Sequence, residues 1–197
     1  MADPRPTTVR ADRSGVEGRP GFRFPMSWLW IVVAIVAFKV VILPGLLENN
    51  HALVGKPVPK LRLPQLVGAP ATQKGAAAVE LDKLAGKVVV LDFWAPWCGP
   101  CRQEMPVLDG IARKYASSDV IVMGVLVDPD RDGARDVLAQ GHIGYPQLDD
   151  DTGLASKAFT IRSLPSLVVV DRKGVVRTYR AGYTSEAELE AAIKSAM

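Results

Sequence analysis

Two cysteines and two histidines are all that 197 residues contain of the side chains that most often hold metals or form disulfides. That count excludes a disulfide-dense scaffold and leaves one pair, Cys98 and Cys101. Charge of one sign is also scarce. The formal net charge is +3, and it can be located. From Gly55 to Met197 there are 18 Lys/Arg against 17 Asp/Glu, whereas the first 27 residues hold five Arg against Asp3, Asp12 and Glu17. The interleaved signs after Gly55 offer no phosphate-binding stripe, so nucleic acid is not an expected partner. Hydrophobic residues make up 48% of the chain and charged residues 23%, which excludes a wholly disordered chain and allows one well-buried domain.

What is present falls into segments. Residues 1–27, rich in Arg, Pro and Gly and without apolar period, read as a flexible basic tail. Trp28 to Leu47 then gives twenty residues with one charge, Lys39. As a helix that run would span about 30 Å, the thickness of a bilayer core. Trp28 and Trp30 fall where an interfacial aromatic belt belongs. No A-x-A-like cleavage site follows and no cysteine is near to accept a lipid, so the segment reads as an uncleaved transmembrane anchor. Lys39 either snorkels to an interface near Pro44 or meets an acidic group of a membrane partner. Four Arg lie in the twenty residues before the span, and Lys56, Lys60 and Arg62 in the twenty after it, a bias that favours a cytoplasmic tail and an extracytoplasmic domain.

A linker over residues 48–57 leads into the domain, residues 58–197. Strands are expected at Lys60–Leu66 and Val79–Leu81, separated by a Gly/Ala-rich loop over Gly68–Ala78. Lys87–Trp94 (KVVVLDFW) and Asp119–Val127 read as buried strands, the first interrupted only by Asp92. Helices are expected at Gly99–Ala116, Asp132–Gln140, Gly153–Phe159 and Glu186–Ala196, the last capped by Ser185. Tyr145–Leu148 reads as a short strand, and Ser166–Asp171 and Val175–Arg180 flank a hairpin turn at Arg172-Lys173-Gly174. Asp149-Asp150-Asp151 lacks the spacing of a calcium loop and reads as a solvated turn. The class is α/β, a mixed central sheet with helices on both faces.

The cysteines sit in Trp97-Cys98-Gly99-Pro100-Cys101, at the junction of a buried strand and a helix. A thiol at a helix N-terminus meets the positive end of the macrodipole and the free amides of the first turn, both of which favour the thiolate. Pro100 is tolerated in that turn. Cys98 is the expected nucleophile and Cys101, one turn further in, the resolving thiol. Zinc would need four ligands, which His51 and His142 do not complete, so no metal is expected. A static disulfide closing so short a loop would restrict little unfolded-chain entropy. Redox chemistry remains. Asp92, interrupting an apolar strand, reads as a buried proton acceptor for Cys101 or as a structural hydrogen-bonded carboxyl. Glu104, one turn after Cys101, reads as a second active-site carboxyl or as an ordinary solvated helix charge. Trp94 is expected in the core and Trp97 at the contact surface.

Asp92-Phe93-Trp94-Ala95-Pro96-Trp97-Cys98-Gly99-Pro100-Cys101 closely resembles the active-site stretch of the thioredoxin superfamily. Pro106 matches its helix-kinking proline, Leu164-Pro165 its cis-proline, and Gly182 its glycine after the last strand. The anchor, Gly55-Lys56-Pro57-Val58-Pro59, Leu84-Ala85-Gly86-Lys87, Arg102-Gln103-Glu104-Met105-Pro106 and the extra helix and strand at 132–148 resemble TlpA/ResA-type membrane-anchored thioredoxin-like proteins. Gly99-Pro100 and Asp92 are closer to thioredoxin itself. The resemblance implies a thioredoxin-like fold with a helix–strand insertion behind one transmembrane helix. It implies a thiol–disulfide oxidoreductase without cofactor, facing the periplasm or its equivalent from a bacterial inner membrane and acting mainly as a reductant. Trp97, Gly99, Pro100, Leu164 and Pro165 would contact the substrate, apocytochrome c or a copper-site protein among the candidates. A DsbD/CcdA-type membrane protein would supply electrons. The competing functions are a copper-binding assembly chaperone and a thiol peroxidase.

Overall fold

A computed structural model describes residues 26–39, 51–67 and 78–197. Helix α1, Met26–Ala37, contains the first part of the apolar run, and its Trp30, Ile31, Val32, Val33, Ile35 and Val36 are all exposed. The rest of the expected anchor beyond Lys39, the tail before Met26 and most of the Gly/Ala-rich loop lie outside the described residues. Among the described residues no helix is long and apolar enough to cross a membrane.

The domain is one seven-stranded mixed sheet. Its strands are β1 Arg62–Val67, β2 Ala78–Glu80, β3 Val88–Trp94, β4 Val120–Leu126, β5 Gln147–Asp149, β6 Ser166–Val170 and β7 Val176–Ala181, in the order β2-β1-β5-β4-β3-β6-β7. β3 is central, parallel to β4 and antiparallel to β6, and all seven of its residues are buried. That burial on both faces is why its sequence is a near-continuous apolar run rather than an alternation. Four further helices are α2 Gly99–Lys114, α3 Arg131–Gln140, α4 Leu154–Ala158 and α5 Glu186–Ala196, with a 3₁₀ turn at Leu81–Leu84.

Successive residues of β3 face opposite layers. Val89, Leu91 and Phe93 join Met123, Val125, Leu148 and Phe159 in one layer. Val88 and Val90 join Leu108 and Ile111 of α2 and Leu189 and Ile193 of α5 in the other. Trp94 and Leu126, at the strand ends, pack with both cysteines, Met105 and residues Ala134 and Leu138 of α3. The last cluster fixes the redox end of the molecule: α3, the insertion, is packed beside α2.

Most expected elements are found within a residue or two, and three readings change. The short strand expected at Tyr145–Leu148 is Gln147–Asp149. Tyr145 and Pro146 precede it, and Pro146 supplies only its carbonyl, to Gly124 N–H. The expected linker is packed onto the domain from His51 onward. His51 stacks on Tyr179 with ring centroids 3.6 Å apart, and Gly55 N–H donates to Val176 O while Val58 N–H donates to Gly174 O. The aspartate run is not a solvated turn. Asp149 is buried and paired with Arg131, and buried Asp150 accepts from Ala155 N–H, Ser156 N–H and Ser156 Oγ at the start of α4. Asp151 alone of the three is exposed. Ser185 and Glu188 form the capping box of α5, as the Ser185 reading expects.

Candidate active site

β3 ends at Trp94, and after three intervening residues the chain enters α2 with Cys98 as its N-cap. Cys98 Sγ accepts from Cys101 N–H at 3.2 Å, so the sulfur takes the place of the usual capping oxygen. The two cysteines are joined in a disulfide, with Cys98 4% and Cys101 0% exposed. Pro100 lies in the first turn, where no backbone bond is lost, and Pro106 lies inside a helix that continues to Lys114. A Cβ on Gly99 would meet nothing within 4 Å, so no steric demand of the fold requires glycine there.

The predicted contact residues surround this turn. Trp97 is 69% exposed, and its Nε1–H donates to Asp128 Oδ2 at 2.7 Å. Asp128, on the loop after β4, holds the indole beside the disulfide; its spacing from Trp97 gave no local signal in the chain. Leu164 packs against the cluster that contains both cysteines, and the Leu164–Pro165 bond is cis, as the resemblance implied. Pro165 O accepts from Gly182 N–H at 2.8 Å, which ties the glycine after β7 to this loop.

Asp92 and Glu104 are both fully buried. Glu104 is therefore not a solvated helix charge. Its Oε1 accepts from Thr184 N–H at 3.0 Å, a contact from a residue eighty positions away that spacing along α2 could not reveal. Burial pushes the Glu104 carboxyl up from 4.5 to about 7, with the Thr184 bond opposing. Burial pushes Asp92 well above the usual carboxylate range, the nearby Glu104 charge adds to the rise, and the Tyr145 hydroxyl at 3.5 Å from Oδ2 opposes it. Both buried carboxyls bind a proton more tightly than an exposed one, and Glu104, a turn beyond Cys101, is able to exchange a proton with a thiol near neutral pH.

A polar band missed in the sequence adjoins them. Gly124 stands between Asp92 and Gln147 in the sheet register. Its missing side chain lets Gln147 reach across β4, where Oε1 accepts from Trp94 Nε1–H at 2.9 Å and Nε2 donates to Tyr145 O at 3.2 Å. A Cβ at Gly124 would fall 1.9 Å from Gln147 Oε1. Gly124→Ala is accordingly expected to displace Gln147 and strand the buried Trp94 N–H, lowering stability by about 1–3 kcal/mol in denaturant unfolding.

The raised Glu104 carboxyl has a second consequence. Because its folded value lies above 4.5, the folded state holds its proton more tightly than the unfolded chain. The associated stability is complete below about pH 4.5 and is lost as pH rises through about 7. Glu104→Gln keeps an acceptor for Thr184 and should flatten the decline by on the order of 3 kcal/mol at most, measured as denaturant midpoints across that range.

Among the described residues no group of three or more His, Cys, Asp or Glu is placed to hold a metal ion. A helix-capping cysteine pair at the end of the central strand, a cis-proline loop packed on its cluster and the mixed sheet beneath define a thioredoxin-like thiol–disulfide oxidoreductase. The chain belongs to the Redoxin family, which matches residues 53–193. It is 27% identical over 173 residues to the thiol-disulfide oxidoreductase ResA of Oceanobacillus iheyensis, covering 87% of each chain. It is 31% identical over 160 residues to the thiol:disulfide interchange protein DsbE of Pseudomonas fluorescens biotype C, covering 80% of this chain and 83% of that one. A crystal structure described as a DsbE-type thiol:disulfide interchange protein from Chlorobium tepidum superposes with a TM-score of 0.64 at 30% identity, over 73% of this chain and 96% of the other.

Proposed function

We propose that this oxidoreductase is a membrane-tethered reductant of protein disulfides on the outer side of a bacterial inner membrane. The observation that carries the reading is a cysteine pair whose Cys98 caps α2, in company with two buried carboxyls of raised proton affinity, Asp92 and Glu104. In the first step the Cys98 thiolate attacks one sulfur of a substrate disulfide, the S–S bond breaks, and one substrate thiolate leaves. In the second, Cys101 gives its proton to Asp92 or Glu104 and attacks Cys98 Sγ. The second substrate sulfur leaves as the substrate gains two electrons, and the Cys98–Cys101 disulfide remains. Two electrons from a DsbD/CcdA-type membrane protein restore the dithiol. Trp97, Gly99, Pro100, Leu164 and Pro165 contact the incoming segment. Apocytochrome c haem-attachment cysteines and copper-site cysteines are the substrates that such a reductant must keep open; the relatives named thiol-disulfide oxidoreductase and thiol:disulfide interchange protein support the disulfide chemistry.

Residues 1–27 form the cytoplasmic tail and residues 28–47 the anchor, and the catalytic domain lies outside the membrane. The exposed apolar side chains of α1 from Trp30 to Val36, continued in sequence by Val40 to Leu43, support the anchor. Topology reporters fused after residue 197 test the orientation, with activity expected only from reporters that work outside the cytoplasm. The direction of reaction is tested by the reduction potential. A value near that of thioredoxin, about −270 mV, is expected, and one near DsbA's, about −120 mV, would make the protein an oxidant.

A further inference from the structure

Tyr145 is buried, precedes β5 in the loop from α3, and takes no part in the steps above. Its hydroxyl lies 3.5 Å from Asp92 Oδ2, the outer limit of a hydrogen bond. Gln147, whose side chain fills the space at Gly124, donates from Nε2 to the Tyr145 backbone carbonyl. The other oxygen of the carboxyl, Asp92 Oδ1, is buried and has no partner among the described residues. One oxygen is thus engaged from β5's side and the other left free.

We propose that Tyr145 is a positioning residue, donating to Asp92 Oδ2 so that the carboxyl is held in one orientation and Oδ1 is the atom that exchanges a proton with Cys101. The proposal rests on the reading of Asp92 as a proton acceptor. In the resolving step the Cys101 S–H bond breaks and the proton passes to Asp92 Oδ1; the electron pair on sulfur forms the new bond to Cys98 Sγ as the bond from Cys98 to the substrate sulfur breaks and the substrate thiolate leaves. Tyr145 gains and loses nothing; its O–H bond stabilises the carboxylate before the proton arrives. The charges facing its hydroxyl are all carboxyls, Asp92 on β3 and Glu104 and Asp109 on α2, and burial with the Asp92 charge keeps the phenol protonated. Facing Asp92 itself are Glu104 and Tyr145; Glu104 in turn is faced by Arg180 on β7 and Glu188 on α5. Among the described residues no other phenol acts on this carboxyl, so Tyr145→Phe removes one donor and retains the ring in its packing.

The test uses reduced full-length protein mixed with dithiobis-nitrobenzoate. The first nitrobenzoate thiolate leaves when Cys98 attacks and the second when Cys101 resolves, so the two phases separate the steps. For Tyr145→Phe the first phase should be unchanged. The pH limb of the second should move upward by about one unit, with resolution about tenfold slower below the limb. The carboxyl stretch of Asp92, isolated as an infrared difference against Asp92→Asn, should shift in the same variant. A pH limb and carboxyl stretch both unmoved in Tyr145→Phe, while Asp92→Asn slows the second phase, would overturn the role of Tyr145 alone. A second phase unaffected by Asp92→Asn would overturn the reading of Asp92, and the proposal with it. A variant that is merely less stable would alter neither the limb nor the stretch.

Discussion

Replacing Cys98 with Ser is expected to reduce disulfide reduction by more than about a thousandfold, to the rate of uncatalysed exchange. The magnitude follows from the position of the sulfur. Cys98 caps α2, accepts the Cys101 N–H and sits where helix amides and macrodipole stabilise a thiolate, whereas a serine oxygen at the same place remains a neutral hydroxyl. Cys101→Ser has a different signature. Its first step should proceed at near the parent rate, because Cys98 keeps its cap, and its second should be abolished. Single-turnover thiol release, read as two phases in the parent and one in Cys101→Ser, checks both statements. The fold should survive either change, since each substituted side chain is small and the surrounding cluster of Trp94, Met105 and Leu126 is apolar and closely buried.

Asp92→Asn is expected to slow the resolving step by about 10–100-fold and to stabilise the protein at the same time. The kinetic effect takes the lower part of the range for a lost proton acceptor because Glu104, also buried, remains as a second one. The stability effect has a defined sign. The Asp92 carboxyl is raised well above its ordinary 3.8, first by burial and then by Glu104, so its contribution is complete below 3.8 and is lost as pH rises through the folded value. Asparagine never ionises and avoids that loss. The denaturant midpoint of the variant should therefore exceed the parent's at pH about 8, with a difference that shrinks as pH falls towards about 4. Activity and stability would move in opposite directions, the pattern expected of a strained group kept for chemistry. Equal midpoints at both pH values would mean that Asp92 carries no such strain.

Much of the domain was legible because its signals are local. KVVVLDFW and VIVMGVL read as buried strands from composition alone, and the Cys98 helix start was marked by the strand before it and Pro100 after it. The features that escaped depend on sheet order. Asp149 and Asp150 look like a solvated acidic turn until Arg131 and the first turn of α4 are brought to them. Glu104 could not be assigned to either of its readings because the residue that satisfies it, Thr184, arrives from beyond the last strand. The Tyr145–Asp92 contact and the reach of Gln147 to Trp94 need β3, β4 and β5 side by side, the second also with no side chain at Gly124, a juxtaposition with no periodic trace in the chain. The candidate carboxyls were visible as types and positions; the polar band that supports them was not.

The central claim, that Cys98 attacks protein disulfides and Cys101 releases them, is tested most directly by a trap. Full-length Cys101→Ser expressed in native membranes, alkylated, and separated without reductant should carry covalently attached proteins. Those adducts should be released by reductant, be absent from the Cys98/Cys101 double serine variant, and include envelope proteins with haem-attachment or copper-site cysteines when identified by mass spectrometry. Membranes in which no adduct depends on Cys98 would contradict the account, because without Cys101 the resolving route is lost and alkylation caps the free thiols that could otherwise release the substrate.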